Sequence, residues 1–285
     1  MKALSNQPNK GLALIAVLWL VAAMGLIITG VVKSVRTETI SSGQQRQTLQ
    51  AQVRADAILV LALQNLFGQV PQARKSLQVG NFNFDGQELT VKVSSLNGLV
   101  DINNAPPILL AELYKVAGGL DTNAAQSLAQ ATVEVRNIQN AKGLRPGFDA
   151  PEDLFRVPGM TYDRYAMIRG LVTADLKDGS GRVNPMAAPL PVLGVLAGGD
   201  LAKATAFAAN RGSGQIGMDG TFFRPDFIEN NVSSSTRLQT TTPLPGGGFM
   251  TRIWDIYGTP DPRTGLPWRI LGKSSTFSQT APADN

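Results

Sequence analysis

The sequence contains neither cysteine nor histidine. Without cysteine the chain has no disulfides, no thiolate metal sites and no cysteine nucleophile. Without histidine it lacks the commonest general base and the commonest zinc ligand, so Ser-His-Asp catalysis is excluded as well. Carboxylates remain as a catalytic resource, but no sequence pattern places a pair of them in a hydrolase-type pocket. These absences favour a binding or structural role over an enzymatic one.

Charged residues are also scarce, at 16% of the chain, whereas apolar residues make up 43%. The formal net charge is +5, and Lys and Arg are spread thinly without a long basic run. Proteins that bind DNA or RNA usually concentrate these residues on one face. The charge distribution therefore argues against a dedicated nucleic-acid surface.

The longest apolar segment covers residues 12–32, which are 21 residues without a charge. A helix of this length spans about 31 Å, close to the hydrocarbon thickness of a bilayer, about 30 Å. A cleavable secretory signal has a shorter apolar core and a small-x-small cleavage site, whereas this segment runs into Lys33 and Arg36. A buried helix of a soluble domain is the other alternative. We predict a transmembrane helix over residues 12–32.

A short polar leader precedes the apolar segment and ends in Lys10-Gly11. This arrangement resembles the signals that prepilin peptidase cuts, in which glycine lies just before the scissile bond on the cytoplasmic side. The resemblance implies a leader peptide over residues 1–11, cleavage between Gly11 and Leu12, and N-methylation of Leu12. A plain signal anchor before an unrelated domain is the alternative interpretation.

Helix-forming sequence continues beyond residue 32, and no proline occurs between Gly11 and Pro71. Apolar side chains recur at helical spacing in residues 51–67. The stripe contains Val53, Ala57, Val60, Leu61 and Gln64, widened by Ile58, Leu59, Ala62, Leu63 and Leu66. Two segments that alternate at period two then flank Asp85-Gly86, which predicts a β-hairpin. Residues 33–96 are therefore predicted to form a periplasmic helix extension and the first strands of a sheet.

Two similar elements follow, at residues 96–105 and 179–188. Each combines glycine, apolar residues, asparagine and alanine, and each precedes a helical stretch, residues 108–116 and 192–197. They resemble an element that is repeated in the K-type minor pseudopilins of type II secretion, the GspK family. Residues 150–160, with Glu-x-Leu-x-x-Val-Pro-Gly-Met, resemble the helix-hairpin-helix of that family.

The resemblance extends from residue 11 to about residue 197 and implies an α+β protein. The expected architecture is a pilin-like fold, with a long N-terminal transmembrane helix packed on an antiparallel sheet. An inserted all-α subdomain of helix-hairpin-helix or SAM-like type is expected over residues 97–200. Residues 201–285 are predicted to hold the closing strands of the pilin-like domain, among them residues 249–257 and 268–271, and a C-terminal tail.

The fifth position of the predicted mature chain is Ala16, where most pilins and major pseudopilins have glutamate. A carboxylate at that depth of the membrane is costly unless the N-terminal amine of a neighbouring subunit pairs with it. A subunit with nothing above it in the filament has no such partner. Ala16 is therefore the tip-specific position, as in the K-type family.

Helix-hairpin-helix elements that bind DNA usually contain Gly-x-Gly, so that backbone amides can approach a phosphate. In this sequence Gly159 is followed by Met160 and Thr161. The sequence therefore favours a structural or protein-binding hairpin, and no nucleic-acid partner is expected.

Asp175 and Asp178 lie beside a glycine-rich turn and are weak candidates for calcium ligands, because some members of the family bind calcium in this subdomain. Their spacing does not match the Asp-x-[Asp/Asn]-x-[Asp/Asn]-Gly calcium loop. A solvated turn is the simpler interpretation, and no cofactor is otherwise expected.

The function that the resemblance implies is non-enzymatic: a minor pseudopilin at the tip of the type II secretion pseudopilus, which initiates and caps it during export of folded proteins. The expected partners are the minor pseudopilins of the I and J types, prepilin peptidase and the inner-membrane secretion platform. The expected location is the bacterial inner membrane, single-pass, with the main domain in the periplasm. A membrane-anchored DNA-uptake protein, a type IV minor pilin and a periplasmic hydrolase that uses carboxylates are the alternatives.

Overall fold

A computed structural model describes residues 10–69, 76–174, 176, 179–212, 220–244 and 246–280; in the first helix, side chains are described at residues 14–26, at 43 and from 45 onward. This helix, α1, runs unbroken from Lys10 to Gly68, 59 residues or about 88 Å. Within the described residues, no helix is both long and apolar enough to cross a membrane. The transmembrane helix over residues 12–32 stays a prediction.

Seven strands follow in the described part of the chain. They are β1 (Leu77–Phe84), β2 (Gln87–Ser95), β3 (Val100–Asp101), β4 (Val172–Thr173), β5 (Ser235–Pro243), β6 (Phe249–Tyr257) and β7 (Arg269–Ser278). Five of them form an antiparallel sheet in the order β1-β2-β5-β6-β7. The chain is therefore α+β with an antiparallel sheet, as predicted.

The predicted β-hairpin is confirmed. Phe84 pairs with Gln87 across a two-residue turn, and Asp85 and Gly86 have φ angles of 54° and 72°. Two successive positive φ angles define a type I′ turn, whose twist matches that of the flanking strands. The predicted strand over residues 249–257 coincides with β6, whereas β5 was not predicted.

The last turns of α1 pack on one face of the sheet. The buried apolar side chains at this contact are Ile58, Leu59, Ala62, Leu63 and Leu66 of α1 and Leu89, Val91, Val93, Leu238, Trp254, Ile256 and Trp268 of the sheet region. Val53 and Leu61, at the centre of the predicted stripe, are 65% and 36% exposed instead. The predicted stripe was thus centred on the wrong face, because α1 is apolar on two sides.

Hydrogen bonds join β2 directly to β5, although residues 96–234 lie between them in sequence. These residues form an insert between two neighbouring strands. Its described helices are α2 (Pro107–Val116), α3 (Thr122–Arg136), α4 (Tyr162–Ile168), α5 (Leu190–Leu196) and α6 (Leu201–Gly212).

The prediction of an all-α insert is wrong in one respect, because β3 and β4 form a parallel pair in which Val100 faces Val172. The insert also extends beyond the predicted boundary at residue 200. Phe207 of α6 and Phe227 belong to its hydrophobic core, and the closing strands begin only at Ser235.

Candidate functional site

The predicted processing site lies at the beginning of α1. Gly11 and Leu12 are in its first turn, and the side chain of Leu12 lies outside the described residues. Cleavage and methylation stay predictions. Ala16 follows one turn later and is exposed. The large apolar side chains described from Leu14 to Leu26 are 58–76% exposed. This end of α1 therefore presents an uncovered apolar surface.

The first repeated element is a tight turn organised by Asp101, which is 1% exposed. Its Oδ1 accepts a hydrogen bond from the backbone N–H of Asn103 at 2.9 Å, and its Oδ2 accepts one from Nδ2 of Asn104 at 2.7 Å. Its carbonyl oxygen accepts the N–H of Ala105 at 2.8 Å. The turn connects β3 to α2, whose first residue is Pro107.

The second element has the same geometry around Asn184, which is fully buried. Its Oδ1 accepts the N–H of Met186 at 2.9 Å, and its carbonyl oxygen accepts the N–H of Ala188 at 3.1 Å. Val183 pairs in parallel with Ile228, as Val100 does with Val172. The two elements are therefore a structural repeat as well as a sequence repeat.

An arginine from a following helix closes each element in the same way. Nη1 of Arg136, at the end of α3, donates to the carbonyl oxygens of Ile102 and Ala105. Nη1 of Arg211, at the end of α6, donates to those of Pro185 and Ala188. Burial lowers the pKa of both guanidinium groups, and for Arg136 the charges of Asp101 and Tyr114 partly offset this effect.

Two equivalent glycines, Gly98 and Gly181, allow the elements to pack closely against each other. A methyl group on Gly98 would lie 2.5 Å from the carbonyl carbon of Ala187, and one on Gly181 would overlap the carbonyl oxygen of Asn104. Each element thus contacts the other through the same two positions, an approximately twofold arrangement. Only a residue without a side chain permits this approach.

Asparagine side chains connect the paired elements to the segments that lead into β1 and β5. Nδ2 of Asn97 donates to Glu229 Oε1 at 2.7 Å and to the carbonyl oxygen of Asn231 at 2.8 Å. Nδ2 of Asn184 donates to the same carbonyl at 2.8 Å and to Ser76 Oγ at 3.0 Å. The entry and exit of the insert are therefore joined by one polar network, in which Asn97 and Asn184 are buried.

Asp101 gives this region a pH dependence. Burial raises the pKa of its carboxyl above the ordinary value of 3.8, although the bonds from Asn104 and Asn103 and the charge of Arg136 oppose the rise. The folded state therefore binds this proton more tightly than the unfolded state does. The stabilisation that comes from the protonated carboxyl is fully present below the ordinary pKa and is lost as the pH rises through the raised pKa.

We expect Asp101→Asn to flatten the fall in stability that begins as the pH rises above 3.8, because it removes this titration and places an amide at the position that Asn184 occupies in the second element. Urea unfolding at a series of pH values from below 3.8 upward measures the effect. The reverse exchange, Asn184→Asp, places a carboxylate at the equivalent buried position and should steepen the fall. Parallel pH profiles for wild type and Asp101→Asn would contradict the prediction.

The predicted helix-hairpin-helix consists of a 3-10 helix over Pro151–Arg156, a turn and α4. Gly159 has a φ angle of 90°, and Arg164 donates to its carbonyl oxygen at 2.6 Å. Phe155 and Tyr162 are 46% and 72% exposed, with their rings stacked at 6.5 Å. An arginine engaged within the hairpin and an exposed aromatic pair favour contacts to protein over contacts to phosphate.

The calcium candidates Asp175 and Asp178 lie outside the described residues. Among the residues that are described, no group of three or more acidic side chains is arranged to hold a metal ion. The calcium assignment stays a prediction.

Arg136 and Arg211 complete the repeat and were not predicted from the sequence. The available signal was the Gly-Gly pair that precedes each following helix, at residues 118–119 and 198–199. Asp121 and Asp200 follow these pairs within two residues and cap α3 and α6 by accepting hydrogen bonds from the backbone N–H groups of Ala124 and Lys203. The repeat therefore extends over both helical hairpins.

No protein-family profile and no curated protein sequence matches this chain. Among solved structures, it is similar to a chain of the GspK-GspI-GspJ complex from the type 2 secretion system of enterotoxigenic Escherichia coli. The match covers 85% of this chain and 99% of that chain, with a TM-score of 0.44 and 15% sequence identity.

Proposed function

We propose that this chain is a non-enzymatic minor pseudopilin, which occupies the tip of a type II secretion pseudopilus and helps to start its assembly. The observation that carries the proposal is the unbroken helix from Lys10 to Gly68, which begins at the predicted Gly11-Leu12 cleavage site and ends packed on an antiparallel sheet. Such a helix has a free apolar end for assembly and a folded domain at the other end.

Two further features support this function. The repeated elements, which carry the resemblance to the K-type family, form a compact insert between β2 and β5. Ala16 leaves the start of α1 without the carboxylate that would pair with a neighbouring amine. The partners in this proposal are the I- and J-type minor pseudopilins, prepilin peptidase and the inner-membrane platform. The site of action is the periplasmic side of the inner membrane.

The experiment that tests the proposal is N-terminal sequencing of the mature protein. We expect the chain to start at an N-methylated Leu12, because prepilin peptidase cuts after Gly11. Gly11→Val should leave residues 1–11 attached, since the bulky side chain is placed next to the scissile bond. Gly25→Val is the matched control, because it makes the same exchange within α1, where an added Cβ meets nothing within 4 Å.

A wild-type protein that keeps Met1 would overturn the proposed function and leave a simple membrane anchor. Normal processing of Gly11→Val would also contradict it, because cleavage would then not depend on the predicted site.

A further inference from the structure

The five-stranded sheet has two edges, which are formed by β1 and β7. An edge strand exposes unpaired backbone N–H and C=O groups, and proteins usually protect such strands with charges, prolines or β-bulges. β7 is protected in this way. It carries Arg269 and Lys273, and a β-bulge interrupts its register opposite Asp255 and Ile256.

β1 has none of these protections. Its eight residues include no charged residue and no proline, and its register with β2 is continuous from Leu77 to Phe84. Within the described part of the chain, β2 is the only strand that pairs with it. The outer side of β1 is therefore an open edge of about 26 Å, a template on which another chain can pair.

The hairpin turn determines which backbone groups of β1 face this open edge. Phe84 and Gln87 flank the two-residue turn and form a hydrogen-bonded pair, and such pairs alternate along an antiparallel ladder. The hydrogen bond from the N–H of Ser95 to the carbonyl oxygen of Ser76, at 2.8 Å, has the same phase. Even-numbered residues of β1 therefore bond to β2. The residues whose N–H and C=O groups point away from β2 are Leu77, Val79, Asn81 and Asn83.

The side chains along the open edge are uncharged on both faces of the sheet. On the face that α1 covers, Phe82 packs against the core, and its ring lies 3.2 Å from where a Cβ of Gly80 would be. On the opposite face, Val79 is 65% exposed. A strand beside β1 would place its own side chains next to these residues, so an uncharged and partly apolar segment is complementary.

A second copy of this chain does not fit the open edge in the proposed function. Two β1 strands in a symmetric pair would run antiparallel, related by a twofold axis perpendicular to the sheet. α1 lies along the face of the sheet, so this axis would reverse its direction. The predicted membrane segments of the two copies would then point in opposite directions.

We propose that the open edge of β1 binds an extended, uncharged segment of a different protein, which adds a sixth strand to the sheet. Main-chain hydrogen bonds to the outward groups of Val79, Asn81 and Asn83 would hold this segment. The inference goes beyond the proposed function by naming a strand-pairing surface. The exclusion of a second copy rests on the proposed function, whereas the properties of the edge do not.

A photo-crosslinking residue at Asn83 of the full chain, in cells that contain its partners, tests the inference. Asn83 is exposed and lies on the face opposite to α1, so a protein that packs only on α1 does not reach it. Ser274 is the matched control, because it is an exposed polar residue of the other edge strand. We expect an adduct from Asn83 and none from Ser274, with the crosslink in an uncharged segment of another protein.

Three exchanges at Val79 show whether the adduct depends on strand pairing. Val79→Pro removes an outward N–H without removing a bond to β2, and Val79→Lys adds a charge to the edge. Both should lower the Asn83 adduct severalfold. Val79→Thr keeps an uncharged, β-branched side chain and should leave the yield unchanged. Urea unfolding checks that the sheet is intact in each variant, and Val79→Lys decides the result where Val79→Pro fails to fold.

Hydrogen exchange resolved by residue distinguishes strand pairing from contacts of side chains alone. In the purified chain, the outward amides of Val79, Asn81 and Asn83 should exchange faster than those of Gly80 and Phe82. In the isolated crosslinked complex, the outward amides should be protected too.

Outward amides that stay unprotected in the complex overturn the inference. An adduct with this chain itself, equal yields at Asn83 and Ser274, or no adduct at Asn83 overturns it as well. So does a yield that Val79→Lys and Val79→Thr change equally. The mature N-terminus is determined in the same sample, so failure of this inference is separable from failure of the proposed function.

Discussion

Gly181→Ala is expected to lower the free energy of unfolding of the insert by about 2–5 kcal/mol. Gly181 has a φ angle of 76°, which disfavours any residue with a side chain. Its added methyl group would also overlap the backbone carbonyl oxygen of Asn104. Backbone atoms cannot rotate away as a flexible side chain can, so the two repeated elements would have to separate.

Gly119→Ala is the matched control for this exchange. Gly119 has a similar φ angle of 67°, but an added Cβ would meet nothing within 4 Å. We expect it to cost only about 1 kcal/mol, the backbone part of the effect. Hydrogen exchange of α2 and α5, together with urea unfolding, measures both variants. Equal losses of unfolding free energy for Gly181→Ala and Gly119→Ala would show that the close approach of the two elements adds nothing to the cost of Gly181→Ala.

Asp56→Ala is expected to destabilise the packing of α1 on the sheet by about 3 kcal/mol. The Asp56 carboxylate accepts hydrogen bonds from Arg252 Nε at 2.6 Å and from Trp254 Nε1 at 3.1 Å. Arg252 is 8% exposed and Trp254 is 4% exposed. The variant would therefore leave a buried cation and a buried indole N–H without their acceptor.

Asp85→Asn removes the Arg54 ion pair, whose side chains are 36% and 62% exposed, while it keeps a residue that tolerates the positive φ angle of the turn. It should cost less than about 1 kcal/mol because solvent screens the charges. The double variant Asp56→Leu/Arg252→Met should recover most of the stability that Asp56→Ala loses, since no buried charge remains unpaired. Tryptophan fluorescence during urea unfolding reports on this region through Trp254 and Trp268. A loss no larger than that of Asp85→Asn would contradict the prediction.

The sequence predicts most reliably where local chemistry decides the structure. The absence of proline allows α1 to continue from Lys10 to Gly68. Asp85-Gly86 specifies its turn because both residues tolerate positive φ angles. These features need no knowledge of distant residues.

Tertiary contacts decide the features that the sequence analysis got wrong or missed. Both faces of α1 are apolar, so periodicity could not show that Ile58 would face the sheet and Val53 would not. Strand β5 was missed because Thr240 and Thr242 take inward positions, where apolar residues would have revealed the alternation.

Within the candidate site, the repeated elements could also be predicted only in part, because their closing contacts are tertiary. Their turn residues are visible in the sequence, but the arginines that close them are not. Arg136 lies 31 residues after Ala105, whereas Arg211 lies 23 residues after Ala188. The helices between each turn and its arginine differ in length, yet both arginines reach the equivalent carbonyl oxygens. Spacing along the sequence therefore cannot show that the two arginines are equivalent.

The placement of the insert between β2 and β5 has a consequence for the order of folding. Closing a flexible loop of about 140 residues costs about 4 kcal/mol in its length-dependent part. A folded insert removes this cost, because Asn97, two residues after β2, donates a hydrogen bond to the carbonyl group of Asn231, four residues before β5. We therefore expect the insert to fold first and to place β5 next to β2. The folding rate of the insert should then determine the rate at which the sheet forms.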